Sequence, residues 1–218
     1  MQANKKDYKE IAVIALKLLV ICAIVASLVA SVNLLTKDKI ALNQKIKTAE
    51  ALTDINEADG LFFSVDEEGN YVVKDADGNA AGSCDTSDVE LKEDIDAVYV
   101  IKDTDGNALS YCVEASPMGF KNEVGMIIAV NPDKSIKDVQ IISLSDTKGI
   151  GDKVTKPEYL DLFAGKTVGF SSNTDALKAN GMIIAGATRT SEPVAKAIDA
   201  AVTQVSEIID GKAGADVE

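Results

Sequence analysis

The chain has 218 residues and a formal net charge of −13, from 22 Lys and Arg against 35 Asp and Glu, so no basic face dominates and no nucleic-acid partner is expected. Histidine and tryptophan are absent, which excludes Ser-His and Cys-His nucleophilic catalysis and His-based zinc or haem ligation. The three cysteines, Cys22, Cys84 and Cys112, form no C-x-x-C pair, so zinc-ribbon and iron–sulfur patterns find no support and no metal site is expected.

Residues 1–17 read as a short cytoplasmic N-terminus, with Lys5, Lys6 and Lys9 set against Asp7 and Glu10. Residues 18–35, LLVICAIVASLVASVNLL, carry no charge. At ~1.5 Å per residue, about 20 residues cross a hydrocarbon core. Residues 18–36 are therefore read as a transmembrane helix in contact with lipid, with Lys17 snorkelling to the interface. The stretch is long for the apolar region of a signal peptide and lacks a clean A-x-A cleavage site, so an uncleaved anchor is expected. Lys37, Lys39, Lys45 and Lys47 balance the N-terminal lysines, and charge alone does not orient the helix. The short N-terminus favours the cytoplasmic side, because long domains translocate largely regardless of charge. Residues 36–218 hold 18 basic and 33 acidic side chains, a charge of −15, and are expected on the extracytoplasmic side of a single-pass plasma-membrane protein. Residues 37–58 read as a polar helical stalk, and 59–218 as the folded domain.

Within that domain, YVVKDADGNAAGSC (71–84) and YVIKDTDGNALSYC (99–112) match at nine of fourteen positions with an offset of 28. Each has a β-rich run, an Asp-Gly turn and a second short run, the signature of a hairpin with a type I′ turn. Asp75, Asp77, Asp103 and Asp105 invite a calcium reading, but Gly stands fourth in the run where an EF-hand loop needs it sixth, so turn chemistry is preferred. Cys84 and Cys112 hold equivalent repeat positions and are read either as a disulfide or as two unpaired thiols. Residues 125–132 and 135–144 are strand-like around a Pro132-Asp133 turn. SDTKGIGDKV is a glycine-bearing loop, and PEYLDLFAG is a short helix closed by Gly165. Val194, Ala197, Ile198, Ala201, Val205 and Ile208 recur at three-to-four spacing, an amphipathic helix of about four turns. Antiparallel strands with segregated flanking helices make the expected fold class α+β.

The stretch GMIIAGATRTSEPVAKAI (181–198) sets three hydroxyls and an arginine at the mouth of that last helix. Ser191 is the expected N-cap, with Glu192 and Pro193 in the first turn. Unpaired N–H groups and the helix dipole suit a phosphate there, Arg189 adds a cation, and Gly186 and Ala187 keep the backbone bare. By pattern alone, a capped helix after a turn looks much the same.

AGATRTS resembles the S/T-G-A-T motif of the FMN-binding domain family. That family includes the G subunit of the Rnf ferredoxin:NAD oxidoreductase and the C subunit of the sodium-pumping NADH:quinone oxidoreductase. DTKGIGDKVTKPEYLDLFAGK is similar to the family's E-T-P-G-L-G loop with its following Phe and Gly-Lys. MGFKNEVGMIIAVNPDKSIKDVQIISLSDT is similar to the Gly-aromatic strand pair that leads into that loop. The resemblance runs from roughly Tyr99 to the terminal helix. The chain departs from the pattern at Met182, Ala185, Asp146 and Lys148. The resemblance implies FMN joined to Thr188 by a phosphoester bond that a separate flavin transferase installs. It places Gly186, Ala187, Arg189, Thr190 and Ser191 around the phosphate, and Thr147, Lys148, Gly149, Ile150 and Gly151 beside the isoalloxazine ring. It implies a redox subunit, not catalytic alone, working with the other membrane subunits of an Rnf-type ion-translocating complex. A C-type subunit of the quinone reductase and a flavin-binding membrane sensor or regulator are the alternatives. A non-redox envelope protein, with hairpins and helix cap purely structural, is a further reading.

Overall fold

The computed structural model describes residues 5–146, 149, 151–171 and 173–211. Helix α1 (Lys5–Asn56) opens the chain. Leu18, Leu19, Val20 and Ile21 take four consecutive positions around its circumference, and all are exposed. A helix that is apolar all round needs apolar surroundings. This one carries an 18-residue window of mean hydropathy 2.8 with none of it buried, long and apolar enough to cross a membrane.

The chain divides into two compact units, Met1–Lys45 and Ile46–Glu218. The last turns of α1 belong to the second unit, whereas the sequence pattern carried a polar stalk up to residue 58. Thr48, Ala49, Leu52, Ile55 and Asn56 are buried at three-to-four spacing, which makes a helix stripe against the domain.

Seven strands follow: β1 (Phe62–Val65), β2 (Tyr71–Lys74), β3 (Ala80–Thr86), β4 (Ile95–Lys102), β5 (Ala108–Ala115), β6 (Val124–Val130) and β7 (Ile136–Leu144). They form one antiparallel meander in chain order. The repeated segments are the β2–β3 and β4–β5 hairpins. Their turns are not type I′: Gly78 and Gly106 have φ near +86°, but the aspartates before them do not enter the positive-φ region. In each, the Asp75 or Asp103 carbonyl accepts the glycine N–H, and the same aspartate's Oδ1 accepts the N–H groups two and four residues on. The β1–β2 turn, Asp66 to Asn70, repeats this pattern. These carboxylates close their own loops.

The sheet is covered on both faces. Strand β6, VGMIIAV, is buried at every position. Its Met126, Ile128 and Val130 join a core with Val98, Val113, Val139 and helix α4 (Thr188–Ile209). Its Ile127 and Ala129 face the other way, into a core with Tyr99, Ile101, Cys112 and the buried end of α1. An antiparallel strand is usually half-buried and alternating; one covered on both faces reads as a continuous apolar run. After β7 come a 3-10 turn (Gly151–Thr155), α2 (Pro157–Leu160) and α3 (Thr174–Ala179) before α4. No sequence pattern pointed to β1 or α3. The architecture is α+β, as expected, with one long N-terminal apolar helix.

Candidate functional site

Helix α4 begins four residues earlier than the sequence pattern placed it. Thr188 is its first residue and Ala187 its N-cap, without a side-chain cap bond. Ser191 is therefore not the cap. It is fully buried: its hydroxyl donates to the Ala187 carbonyl at 3.0 Å and accepts the Ile184 N–H at 3.0 Å. Pro193 sits inside the helix, not in its first turn, and leaves the Arg189 carbonyl without its usual i+4 donor.

The turn before the helix runs from Ile184 to Ala187, closed by Ala187 N–H to Ile184 carbonyl at 2.9 Å. Gly186 holds its third position at φ +82°, where a side chain is strained. Tyr159 supports the segment from beneath. Its buried hydroxyl lies 3.0 Å from the Met182 carbonyl and 3.2 Å from that of Ser191, and burial raises its pKa. Met182 itself is fully buried in the core.

The three hydroxyls thus have three different fates. Ser191 is tied inward. Thr190 is buried and donates to Asp146 Oδ2 at 2.6 Å. Thr188 is exposed, and among the described residues its hydroxyl has no partner. The backbone N–H groups of Thr190 and Ser191 both go to the Ala187 carbonyl, at 3.0 and 2.9 Å. Those of Thr188 and Arg189, the first two of the helix, have no acceptor among the described residues.

A cavity of about 420 Å³ opens beside this turn, walled by Phe120, Asp146, Gly151 and the backbone from Gly186 to Thr190. Its volume is in the range of small-molecule and cofactor sites. Phe120 is half exposed, and the Arg189 guanidinium carbon lies 5.2 Å from its ring centroid. Arg189 makes no ion pair among the described residues. A second cavity, of about 560 Å³, lies against Glu93, Asp94, Met118 and Lys196 and shares Thr188 and Arg189 with the first. Burial, then the charges of Glu93, Asp96 and Glu123, raise the Asp94 pKa. On the helix, the Lys196 ammonium and the Thr174 hydroxyl hold Glu192 below its ordinary value.

The structure brings Gly186, Ala187, Thr188, Arg189 and Thr190 together with Gly151 around one cavity. Gly149 is exposed at φ +79° and lines neither of these two cavities. Thr147, Lys148 and Ile150 lie outside the described residues. Two wall residues do not stand out in the sequence. Phe120 lies inside a matched motif, and an aromatic after Gly119 is its only signal. Asp146 enters the sequence reading only as a departure from the similar loop motif, and its partner Thr190 lies 44 residues away. Cys84 and Cys112 are free thiols. They sit on β3 and β5 with β4 between them, about 10 Å apart at two strand spacings, too far for a disulfide.

An exposed hydroxyl, a guanidinium and two N–H groups with no acceptor among the described residues belong to Thr188 and Arg189, which line the same cavity. That set can hold an anion and offers it an oxygen to be esterified to. The polar end of such a ligand is met here, and an aromatic face lies alongside for a planar remainder.

Comparison with known proteins agrees with this geometry. The FMN-binding domain family matches residues 119–203, and the RnfG N-terminal region matches residues 1–55. The G subunit of the proton-translocating ferredoxin:NAD(+) oxidoreductase complex of Clostridium ljungdahlii is 32% identical over 109 residues, 47% of this chain and 57% of that protein. The G subunit of the ion-translocating oxidoreductase complex of Methanosarcina acetivorans is 28% identical over 213 residues, 92% of this chain and 97% of that protein. The chain thus spans just over half of the first relative and nearly all of the second. Among solved structures, NqrC of Shewanella oneidensis is similar with a TM-score of 0.41 and 24% identity, over 53% of this chain and 60% of that one. The match to the RnfG N-terminal region takes up the apolar helix, and the match to the FMN-binding domain takes up the segment from Gly119 through most of α4, so the chain is similar to both in that order.

Proposed function

We propose that this protein is a covalently flavinylated electron-transfer subunit of an Rnf-type ion-translocating oxidoreductase. The observation that carries the reading is the Thr188 hydroxyl at the first position of α4, exposed and without a partner among the described residues, beside Arg189 and the Phe120 cavity. The residues present fit FMN. The cavity has cofactor dimensions, Gly186 and Ala187 leave the backbone bare, and the phosphate meets a cation and two N–H groups. When bound, the flavin supplies one-electron and hydride chemistry that no side chain of this chain offers.

The chain's own residues do the rest. Thr188 presents the oxygen through which a phosphodiester holds the group. Arg189 and the helix N-terminus balance its single negative charge. Phe120 gives the cavity an apolar wall, and Gly151 gives it depth. Ser191 and Thr190 turn their hydroxyls away, so one oxygen of the three is presented for attachment. Other subunits of the complex carry the ion and receive or supply electrons, and a flavin transferase installs the group. Residues 18–36 cross the membrane once in contact with lipid. The acidic remainder of the chain lies on the extracytoplasmic side.

The test is made on protein from its native host. The membrane fraction is denatured and run on a gel, flavin fluorescence is read, and the modified peptide is mapped by mass spectrometry. FMN on the peptide containing Thr188, and none in Thr188→Ala, is the expected result. An unmodified Thr188 peptide without fluorescence overturns the covalent reading.

A further inference from the structure

We propose that Asp146 is a positioning residue for the attachment site, a carboxylate latch that holds the first turn of α4 so that Thr188 faces outward. The inference rests on the flavin-attachment reading above. Asp146 lies just past β7, where the chain enters the glycine-rich loop. Its Oδ2 accepts the Thr190 hydroxyl at 2.6 Å and the Phe120 N–H at 3.4 Å. Three segments distant in sequence therefore meet at one oxygen: the Gly119–Phe120 turn, the loop after β7 and the start of α4.

Gly151 packs directly against this carboxylate. A Cβ on Gly151 would stand 2.5 Å from Asp146 Cγ and 2.6 Å from Oδ2, closer than real atoms approach. Gly151 is needed here for close approach, not for its φ. Asn122 supports the same corner, its amide donating to the Ser145 carbonyl at 2.9 Å. On α4, residues 188 and 190 lie about 200° apart at 3.6 residues per turn, so pulling the Thr190 hydroxyl inward turns Thr188 outward. Phe120, whose N–H meets the same oxygen, carries the ring beneath Arg189. The latch thereby sets the hydroxyl, the cation and the aromatic wall in one frame.

The test uses the full-length chain in membranes, co-expressed with the flavin transferase of its host, and reads two quantities. One is the rate at which FMN appears on the Thr188 peptide. The other is amide hydrogen exchange over residues 188–191 in the flavin-free chain. In Asp146→Ala, Thr190→Val and Gly151→Ala, attachment is expected to slow by roughly ten- to a hundredfold, the scale of a misplaced reacting group. Exchange of the first turn rises in all three while the melting of the domain stays cooperative. Thr190→Ser, which keeps the hydroxyl, restores both readings. Wild-type attachment and exchange in Asp146→Ala overturns the latch. If Asp146→Ala does not fold, Thr190→Val against Thr190→Ser decides: equal readings for the two overturn it. A wild-type chain that never carries FMN on Thr188 overturns the attachment reading instead, and the exchange data alone then support or overturn the latch.

Discussion

The Arg189 guanidinium carbon lies 5.2 Å over the Phe120 ring, and Arg189, like Thr188, lines both cavities. A cation already seated on a ring face is oriented before any anion arrives. Arg189→Gln is expected to weaken non-covalent FMN binding by about tenfold, the scale of one charged hydrogen bond. Titration of FMN fluorescence on the Thr188→Ala chain, which cannot be esterified, checks this. Phe120→Ala is expected to weaken binding as well, by loss of the wall and of Arg189's seat.

A second prediction concerns the end of α1. Leu52 is fully buried against the sheet, while Ile40 on the same helix is exposed. Leu52→Ala should destabilise the unit that begins at Ile46 by about 2–5 kcal/mol, the usual cost of a buried leucine. Ile40→Ala should leave that transition within about 0.5 kcal/mol of wild type. Chemical denaturation in detergent, followed by tyrosine fluorescence, compares the two. Equal effects would show that the helix end is not part of the domain core.

The thiols provide a third. Burial pushes the Cys84 thiol up to about 12, helped by the neighbouring Cys112 and Asp85 charges. Burial does the same to Cys112, also to about 12. The thiolate is the reactive form, so neither should alkylate at pH 8 until the protein unfolds. Mass spectrometry after iodoacetamide treatment, with and without denaturant, is expected to show both residues labelled only in denaturant, with no disulfide between them.

Glu114 gives the fourth. The Tyr99 hydroxyl donates to its Oε2 at 2.8 Å, and the Thr48 hydroxyl lies 3.5 Å from Oε1. Burial, which outweighs the Tyr99 hydrogen bond, raises its pKa, and Asp96 adds to the rise. The folded state then holds this proton more tightly than the unfolded chain. Stability from this group is fully present below the ordinary glutamate value of 4.5 and is lost as pH rises through the folded pKa. Glu114→Gln should remove that loss, so the variant gains stability relative to wild type at neutral pH and not at pH 4. Thermal melts across pH 4–8 read the difference.

Much of this was legible in the chain. The uncharged run at 18–35 announces a helix that needs lipid, because no amphipathic stripe interrupts it. The twin D-x-D-G-N turns announce hairpins, because the first aspartate of each closes the loop on the N–H groups that follow it. The spacing from Val194 to Ile208 announces α4. Gly186 to Thr190 announces a turn that opens a helix, and the structure sets these residues along one cavity. All of these depend on neighbours within a turn or two of one another.

Contacts across long separations decided the rest. The end of α1 reads as polar because its buried side chains include Thr48 and Asn56, whose partners are Glu114 and, for Asn56, Lys137 and Ser110. No local pattern shows that those partners exist. Likewise the N-cap is Ala187 and not Ser191, because the Ser191 hydroxyl found the Ile184 N–H and the Ala187 carbonyl in a turn that only folding creates. Residue order alone dictates that three hydroxyls stand at a helix mouth. Packing in three dimensions selects the one that is presented, since a hydroxyl is available only where its hydrogen bond is left unmade: Ser191 is spent on its own turn, Thr190 on Asp146, and Thr188 remains.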